Sequence, residues 1–254
     1  MASDVSDDER MRMRERPAGR PAMRQIWQHL GFLHWPVARD AIARLLPPGL
    51  DVDVFDGTAY VGIVPFTIPL TRTGRLGAPM APAFHEINLR TYVHRGGRDP
   101  GVWFFSLDAT SRLAVAGARF AYGLPYFHAD ITLEEAGAAV DYRARRRRSP
   151  ATFAAGYQPT GAVEAAAPGS LELFLAERYL LYAASGRGLR TARVHHAPYP
   201  LQVAAAVDVE QTLTDVAGLP AGARAGPPAL VHYAREVDVD IFAPRHLDNP
   251  RPVR

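Results

Sequence analysis

The sequence predicts a single, mainly β domain with a mostly antiparallel sheet and a few short helices. About ten short segments rich in β-branched and aromatic residues follow one another, mostly in hairpin-like pairs. Helical periodicity is limited to about three or four short stretches. Strands and helices therefore do not alternate as in a doubly wound fold, and the pattern favours an antiparallel sheet or barrel.

The first half of the chain contains five of the predicted strands, which are Gln25–Trp35, Leu50–Val54, Ala59–Phe66, Phe84–Val93 and Val102–Asp108. Pro36 suits the first turn of a short helix, and Pro47-Pro48-Gly49 ends it. The turn Phe55-Asp56-Gly57 predicts a hairpin between the second and third strands.

The second half contains the other predicted strands, which are Phe127–Leu133, Val140–Arg147, Arg190–His195, Gln202–Val207 and Leu230–Phe242. Helices are expected at Ser111–Phe120, near Gln211–Val216 and at Ser170–Ala184. The last of these has the strongest helical periodicity, and Ser170 can cap its start.

Composition divides the chain into a charged tail at residues 1–23, one domain at 24–245 and a second tail at 246–254. Residues 1–23 carry mixed charges with almost no apolar side chains, which is typical of a disordered segment. No apolar run approaches the roughly 20 residues of a membrane span, and no signal sequence is visible. We therefore expect a cytoplasmic protein without a membrane partner.

The residue types present exclude two kinds of covalent chemistry. All 29 basic side chains are arginine and there is no cysteine, so neither a lysine imine nor a thiolate nucleophile is available. The net charge of only +3 gives little reason to expect nucleic acid. Phosphate-binding, dinucleotide-binding and nucleophile-elbow motifs are absent, so we expect no cofactor. His195 and His196 would point to opposite faces of a strand, so we expect no metal site.

The segment from Phe84 to Val93 is the most informative candidate site. Strand alternation places Glu86, Asn88 and Arg90 on one face. If that face is exposed to solvent, these three residues are an ordinary polar strand surface. If it faces the interior of a barrel, they form a preorganised site. Arg90 could hold a carboxylate, and Glu86 could transfer a proton.

Tyr122, Tyr126 and His128 follow a predicted helix and open the next strand, and they are either core residues or the lining of a cavity. His128 is a candidate general acid or base because the pKa of histidine is near neutrality.

Other charged residues have structural interpretations. Asp108 and Arg112, just beyond a buried strand, suggest a structural ion pair or a pair at a pocket mouth. The arginine run 143–148 is interpreted as a solvated strand edge. Glu177 and Arg178 are expected on the long helix, either on its surface or as neighbours of a helix cap.

Several motifs, in order, resemble the bacterial YqjF-like family, a domain of unknown function. The likeness covers residues 25–242. The motifs are His34-Trp35-Pro36-Val37, Leu46-Pro47-Pro48-Gly49-Leu50, Phe55-Asp56-Gly57, Phe84–Val93, Val102–Asp108, Leu124-Pro125-Tyr126-Phe127, Pro168-Gly169-Ser170-Leu171-Glu172, Glu177-Arg178-Tyr179 and His195-His196 with Pro200-Leu201.

That family is similar to the acetoacetate decarboxylase-like superfamily, which implies a cone-shaped, antiparallel β-barrel with a central cavity and a few covering helices. The resemblance gives Glu86 an active-site role. The decarboxylase lysine would fall near Tyr122-Gly123-Leu124, and the first-strand arginine near Trp27-Gln28-His29, but neither is present. The resemblance therefore implies the fold and not imine-based decarboxylation.

These observations together predict a pocket for a small organic ligand, anionic or carrying a keto group. If the protein is an enzyme, we expect lyase, hydratase or isomerase chemistry, with Glu86 and His128 as catalytic groups. Asn88, Arg90, Tyr122 and Tyr126 would bind the substrate. A non-catalytic ligand-binding barrel and an interaction protein that uses its arginine-rich edge remain as alternatives, and a homo-oligomer is left open.

Overall fold

The computed structural model of the protein describes residues 4–185, 188–220 and 226–247. Within them the chain forms fourteen strands and five helices. The strands, β1 to β14 in chain order, are Met23–Val37, Asp51–Val52, Ala59–Thr73, Pro79–Ala81, Phe84–Arg95, Arg98–Ala109, Tyr126–Ala136, Ala139–Arg146, Thr152–Pro159, Leu180–Ser185, Gly188–His195, Leu201–Gln211, Leu230–Ile241 and Arg245–His246. The helices, α1 to α5, are Asp7–Arg12, Arg39–Ala43, Arg112–Tyr122, Leu171–Ala176 and Leu213–Val216. None of these helices is long and apolar enough to cross a membrane.

The strands form one large, mostly antiparallel sheet. Its order is β14-β11-β10-β6-β7-β8-β9-β12-β13-β1-β3-β5-β2, with β4 paired to β3. Two further pairings, β5 with β6 and β11 with β13, connect strands that are distant in this order. The sheet therefore closes partly into a ring, and the predicted mainly β class is confirmed.

Strand β5 lies between two long neighbours and is buried on both faces. It pairs antiparallel with β3 along one edge and with β6 along the other. Between Phe84 and His94, every residue except His85 is buried. Since side chains alternate along a strand, Ile87 and Leu89 enter one core while Glu86 faces the other side.

The apolar side chains form two main cores, one on each side of β5. The first lies under β7, β8 and β9 and includes Ile63, Tyr142 and Phe153. The second contains Phe32 and Phe66 among its buried members, together with side chains of β6, α3 and β13. The candidate site lies in this second core.

The long helix predicted at Ser170–Ala184 is wrong beyond its first turns. Ser170 Oγ caps the start by accepting a hydrogen bond from Leu173 N at 3.1 Å. Helix α4 ends at Ala176, and the residues from Leu180 onward form β10, which pairs with β11 and β6. Strand pairing with distant segments outweighs the local helical periodicity of these residues.

The N-terminal segment also differs from the disordered tail that its composition predicts. From residue 4 onward it packs on the sheet, and Ser6 Oγ caps α1 by accepting a hydrogen bond from Glu9 N. Arg10 donates to both carboxylate oxygens of Asp53, at 2.6 and 2.7 Å. The Met13 side chain is buried. Specific partners on the sheet, which composition cannot reveal, hold this segment.

The short strand β14 lies at the predicted C-terminal boundary of the domain, residue 245. His246 pairs with Arg190 in the β14–β11 ladder, so the ordered chain extends past the predicted end of the domain. Residues 1–3 and 248–254 of the two predicted tails lie outside the described residues. The division into one domain and two tails stays a prediction.

Substituting Arg10 tests whether the N-terminal segment stabilises the protein. Burial alone would raise the pKa of Asp53, but Arg178 and Arg10 together lower it below its ordinary value. We expect Arg10→Met to reduce the free energy of unfolding by about 1–3 kcal/mol, because a charged hydrogen-bond donor is lost. Urea denaturation at neutral pH measures this loss.

The matched control is Arg12→Met, which breaks an exposed ion pair with Glu9. Exposed pairs contribute less than about 1 kcal/mol, so this variant should unfold almost like the parent. An Arg10→Met protein as stable as Arg12→Met would show that the pair between Arg10 and Asp53 contributes no more than an exposed ion pair.

Candidate functional site

A cavity of about 390 Å³ lies beside β5 in the second core. Its wall is mostly apolar, with a small set of polar side chains. Five of the predicted site residues line it, and these are Glu86, Asn88, Arg90, Tyr122 and Tyr126. The solvated-face interpretation of the β5 row is therefore wrong, since all three of its polar residues are buried.

The structure does not bring His128 to this cavity. It follows Tyr126 by two residues on β7, but it is absent from the cavity wall. Its main-chain oxygen accepts a hydrogen bond from Arg147 N at 3.0 Å, where β7 begins to pair with β8. The chain has by then left the cavity for the other part of the sheet, so the catalytic role predicted for His128 has no geometric support.

The Glu86 carboxyl group is buried without a cation. Its side chain is only 4% exposed, and within the described residues it makes no ion pair. Tyr126 Oη donates a hydrogen bond to Glu86 Oε2 at 2.8 Å. Burial raises the pKa of Glu86 to about 8, the Tyr126 hydroxyl opposes this rise and the Asp108 charge adds to it. At neutral pH Glu86 is therefore mostly a neutral carboxylic acid.

The backbone at Glu86 is fixed from the other side of the strand. Tyr142 Oη donates to the main-chain oxygen of Glu86 at 2.7 Å, and Tyr142 is fully buried in the first core. This contact holds the main chain of Glu86 in place, and with it the position of the carboxyl group in the cavity wall.

The guanidinium of Arg90 is the second buried group without a counterion. Arg90 Nη2 donates to the main-chain oxygen of Leu175 at 3.0 Å, while Nε has no hydrogen-bond partner. The rings of Phe32 and Tyr92 lie 5.7 Å from its central carbon. No carboxylate of the described residues lies within ion-pair distance of it. Glu86 and Arg90 therefore do not form the structural pair that would compete with a functional site.

Two further residues of the cavity wall were not identified from the sequence. Arg178, predicted on a helix surface, is buried, and its Nη1 donates to Asp53 at 2.7 Å while its Nη2 has no partner. Tyr199 also lines the cavity. The signal available for Arg178 was its position, together with Glu177, inside an otherwise apolar run. Asn88 Oδ1 is likewise buried without a partner.

A hydrogen-bonded cluster supports the Arg90 end of the row. Tyr92 Oη donates to Leu175 O at 2.8 Å and lies 2.6 Å from His34 Nε2. Burial, with the charges of Arg90 and His232 as lesser causes, lowers the pKa of His34 well below its usual value, so this imidazole is neutral. A Cβ at position 62 would lie 3.0 Å from the His34 ring and 3.2 Å from Tyr92 Oη, so any larger residue than Gly62 would have to displace this cluster slightly.

Asp108 forms its ion pair with Arg146 and not with Arg112, the partner that the sequence suggests. Arg146 forms a bidentate pair with Asp108, at 2.6 and 2.8 Å, and both side chains are buried. Arg146 belongs to the run that was interpreted as a solvated edge, but strand alternation turns it inward. Its neighbours Arg145 and Arg147 pair with Asp130 on the surface.

These groups make the cavity suited to an anionic molecule. Glu86 is neutral at neutral pH, and among the described residues no carboxylate pairs with Arg90, whereas Asp53 pairs with both Arg10 and Arg178. A carboxylate bound at Arg90 would supply the missing counterion, since guanidinium and carboxylate pair well in geometry. Among the described residues, no group of three or more His, Asp or Glu side chains is placed to hold a metal ion.

Solved structures share this fold. An acetoacetate decarboxylase-like enzyme from Sphingomonas wittichii RW1 matches with a TM-score of 0.63 and 15% identity, over 90% of this chain and 93% of that chain. Acetoacetate decarboxylase from Legionella pneumophila matches with a TM-score of 0.61 and 13% identity, over 96% of each chain. The enduracididine biosynthesis enzyme MppR, complexed with pyruvate, has a TM-score of 0.58 and 14% identity, over 91% of this chain and 92% of that one. The fold is therefore acetoacetate decarboxylase-like.

The sequence itself defines the family. The family model DUF2071, described as an uncharacterized conserved protein, matches residues 24–238. YqjF of Bacillus subtilis strain 168 is 42% identical over 230 residues, which is 90% of this chain and 93% of YqjF. The chain belongs to the DUF2071 family, as the YqjF-like motifs indicate.

The raised pKa of Glu86 predicts how stability varies with pH. The folded pKa of about 8 lies above the ordinary value of 4.5, so between these values the folded state keeps a proton that the unfolded chain releases. The stabilisation from neutral Glu86 is complete below the unfolded pKa and is lost as the pH rises towards about 8. Between about pH 5.5 and about pH 8.5, the parent should lose on the order of 3 kcal/mol more stability than Glu86→Gln.

Urea denaturation of both proteins at the two pH values measures this difference. Glutamine keeps the shape of the neutral acid but cannot ionise, so it is the matched substitution. Parallel pH profiles for the two proteins would mean that Glu86 is already ionised at the lower pH.

Proposed function

We propose that the protein binds a small carboxylate that carries a keto or conjugated alkene group, and that it catalyses a lyase, hydratase or isomerase reaction by acid–base chemistry. The observation that carries this proposal is the buried Arg90 guanidinium without a counterion, in the same cavity as a neutral Glu86. The fold neighbours support it, because MppR is complexed with pyruvate in one structure and with a condensation product of pyruvate in another.

Arg90 anchors the anionic end of the substrate in this proposal. A bound carboxylate receives charge-assisted hydrogen bonds from the guanidinium in a cavity that excludes most water, where such bonds are strong. The side chains of Asn88 and Arg178 also line the cavity, and in this proposal they contact further polar atoms of the substrate. These contacts fix the orientation of the substrate before reaction.

Glu86 is the general acid. Its proton moves to the carbonyl oxygen or to a carbon of the substrate, and the resulting carboxylate keeps its hydrogen bond from Tyr126 Oη. A pKa near 8 suits an acid that must hold its proton at neutral pH and still release it in the transition state. Because the chain has no lysine, no step passes through a lysine imine.

The two alternatives differ in how much support they have. A non-catalytic protein could bind the same ligand in the same cavity, and only activity distinguishes that function from an enzyme. An interaction through the arginine-rich edge has less support, because Arg143, Arg145 and Arg147 are already paired with neighbouring aspartates on the surface.

Activity measurements on two substitutions test the proposal. We expect Glu86→Gln to lower the turnover of keto or enoyl acids about 10²- to 10⁴-fold with little change in ligand affinity, because a general acid is lost. Arg90→Met should instead weaken binding. In the parent protein, kcat should fall as the pH rises through about 8, where Glu86 loses its proton. Nuclear magnetic resonance of substrate mixtures measures turnover without a coupled assay.

Arg112→Met is a suitable control, since Arg112 is an exposed arginine on α3 outside the cavity wall. If Glu86→Gln keeps full activity, the acid–base role is refuted. If ligands bind normally and no substrate is turned over, the non-catalytic alternative stands.

A further inference from the structure

Glu86, Asn88 and Arg90 follow one another along β5, and the mouth of the cavity lies near Glu86, the first of them. Glu86 pairs with Ala109 of β6, three residues before α3 begins. On its other edge Glu86 pairs with Phe66 of β3, the strand that carries β4 a few residues further on. Helix α3 and strand β4 therefore border the Glu86 end of the cavity.

Arg90 lies further than Glu86 from α3 and β4. It is four residues further along β5, which corresponds to about 13 Å in an extended strand. There it contacts Leu175 O and the Phe32 ring, away from α3 and β4. A carboxylate held by Arg90 is thus deep in the cavity, and the rest of the molecule must pass Glu86 to reach the mouth.

The mouth itself is apolar. Met80 of β4 and Leu113 of α3 line the cavity and are also 45% and 64% exposed. Exposed large apolar side chains at a cavity rim are typical of ligand-binding grooves. Between the rim and Glu86 the wall continues with aromatic side chains, including Trp27 and Phe66, whose ring centroids are 5.3 Å apart.

The cavity is also larger than a short keto acid requires. A liquid water molecule occupies about 30 Å³, so 390 Å³ accommodates roughly a dozen non-hydrogen atoms. Pyruvate and acetoacetate have only six or seven, roughly half of that number. A short acid bound at Arg90 would leave the apolar part of the wall without a partner.

We propose that the ligand is an amphipathic carboxylic acid of roughly ten or more non-hydrogen atoms. Its anionic end binds Arg90, its carbonyl or alkene group lies beside Glu86, and its alkyl or aryl tail fills the apolar part of the cavity under α3. This inference rests on the proposed function, which it narrows from small carboxylates in general to acids with a long apolar tail.

Calorimetric titration of the full chain with butanoate, octanoate and 1-octanol tests the inference. Each buried methylene strengthens binding about threefold to fourfold, so octanoate should bind on the order of 10²-fold more tightly than butanoate. Arg90→Met should weaken octanoate binding and leave 1-octanol binding unchanged. If 1-octanol binds the parent protein as tightly as octanoate does, the proposal that Arg90 binds a carboxylate is overturned.

Substitutions on α3 test the position of the tail. Gly117 lines the cavity, and a Cβ there would meet no atom within 4 Å, so Gly117→Leu can be accommodated. It should weaken octanoate binding at least tenfold and leave butanoate binding unchanged. Ala118→Leu, on the same face, should act in the same direction if Gly117→Leu is poorly folded. Ala116→Leu, on the exposed side of the helix outside the cavity wall, is the matched control.

The outcomes separate the inference from the function on which it rests. If butanoate and octanoate bind equally and the α3 substitutions change neither, the long-tail assignment is overturned, while an Arg90→Met effect on both acids keeps the proposed function. If Arg90→Met binds both acids as the parent does, the proposed function and the inference both fail.

Discussion

The burial of β5 on both faces is the constraint on which the site depends. A strand that pairs along both edges and packs on both faces cannot expose alternate residues to water. Glu86, Asn88 and Arg90 are consequently held inside the second core, where polar groups without partners are costly. Such an arrangement persists in a folded protein when a ligand, or the chemistry itself, uses those groups.

Glu86 and Arg90 respond to burial in different ways. A carboxyl group can avoid a buried charge by keeping its proton, and the raised pKa of Glu86 reflects this. A guanidinium cannot lose its proton at any ordinary pH, so Arg90 stays charged. The same environment therefore leaves a neutral carboxylic acid and a cationic guanidinium on one strand. The absence of lysine excludes a lysine imine, and the proposed function uses this pair for acid–base chemistry and anion binding.

Local patterns predicted the parts of the site that lie on one strand. The alternation in Phe84–Val93 was enough to group Glu86, Asn88 and Arg90, because spacing along a strand fixes which side chains share a face. Which face is buried depends on β3 and β6 pairing along both edges, and those contacts are distant in sequence. The resemblance to a known superfamily supplied that information.

The sequence-based predictions were wrong where contacts between distant segments override the local preference of the chain. Residues after Ala176 have helical spacing, but they form a strand because β6 and β11 offer edges to pair with. Arg178 was assigned to the surface for the same reason, although Asp53, far away in sequence, holds it at the cavity wall. Arg10 reaches that same Asp53, so a segment with the composition of a disordered tail becomes part of the fold. His128 was grouped with Tyr126 because both open the strand after a predicted helix, but His128 is absent from the cavity wall that Tyr126 lines.

The protonation state of Glu86 determines the charge of the cavity beside the unpaired Arg90, and the proposed chemistry depends on it. Carbon-13 nuclear magnetic resonance of protein labelled at the glutamate carboxyl carbons measures it directly. We expect one resonance that titrates near pH 8 and is missing from Glu86→Gln. If the resonance lost in Glu86→Gln titrates with the exposed glutamates near the ordinary value of 4.5, Glu86 is ionised at neutral pH and cannot be the neutral acid of the cavity.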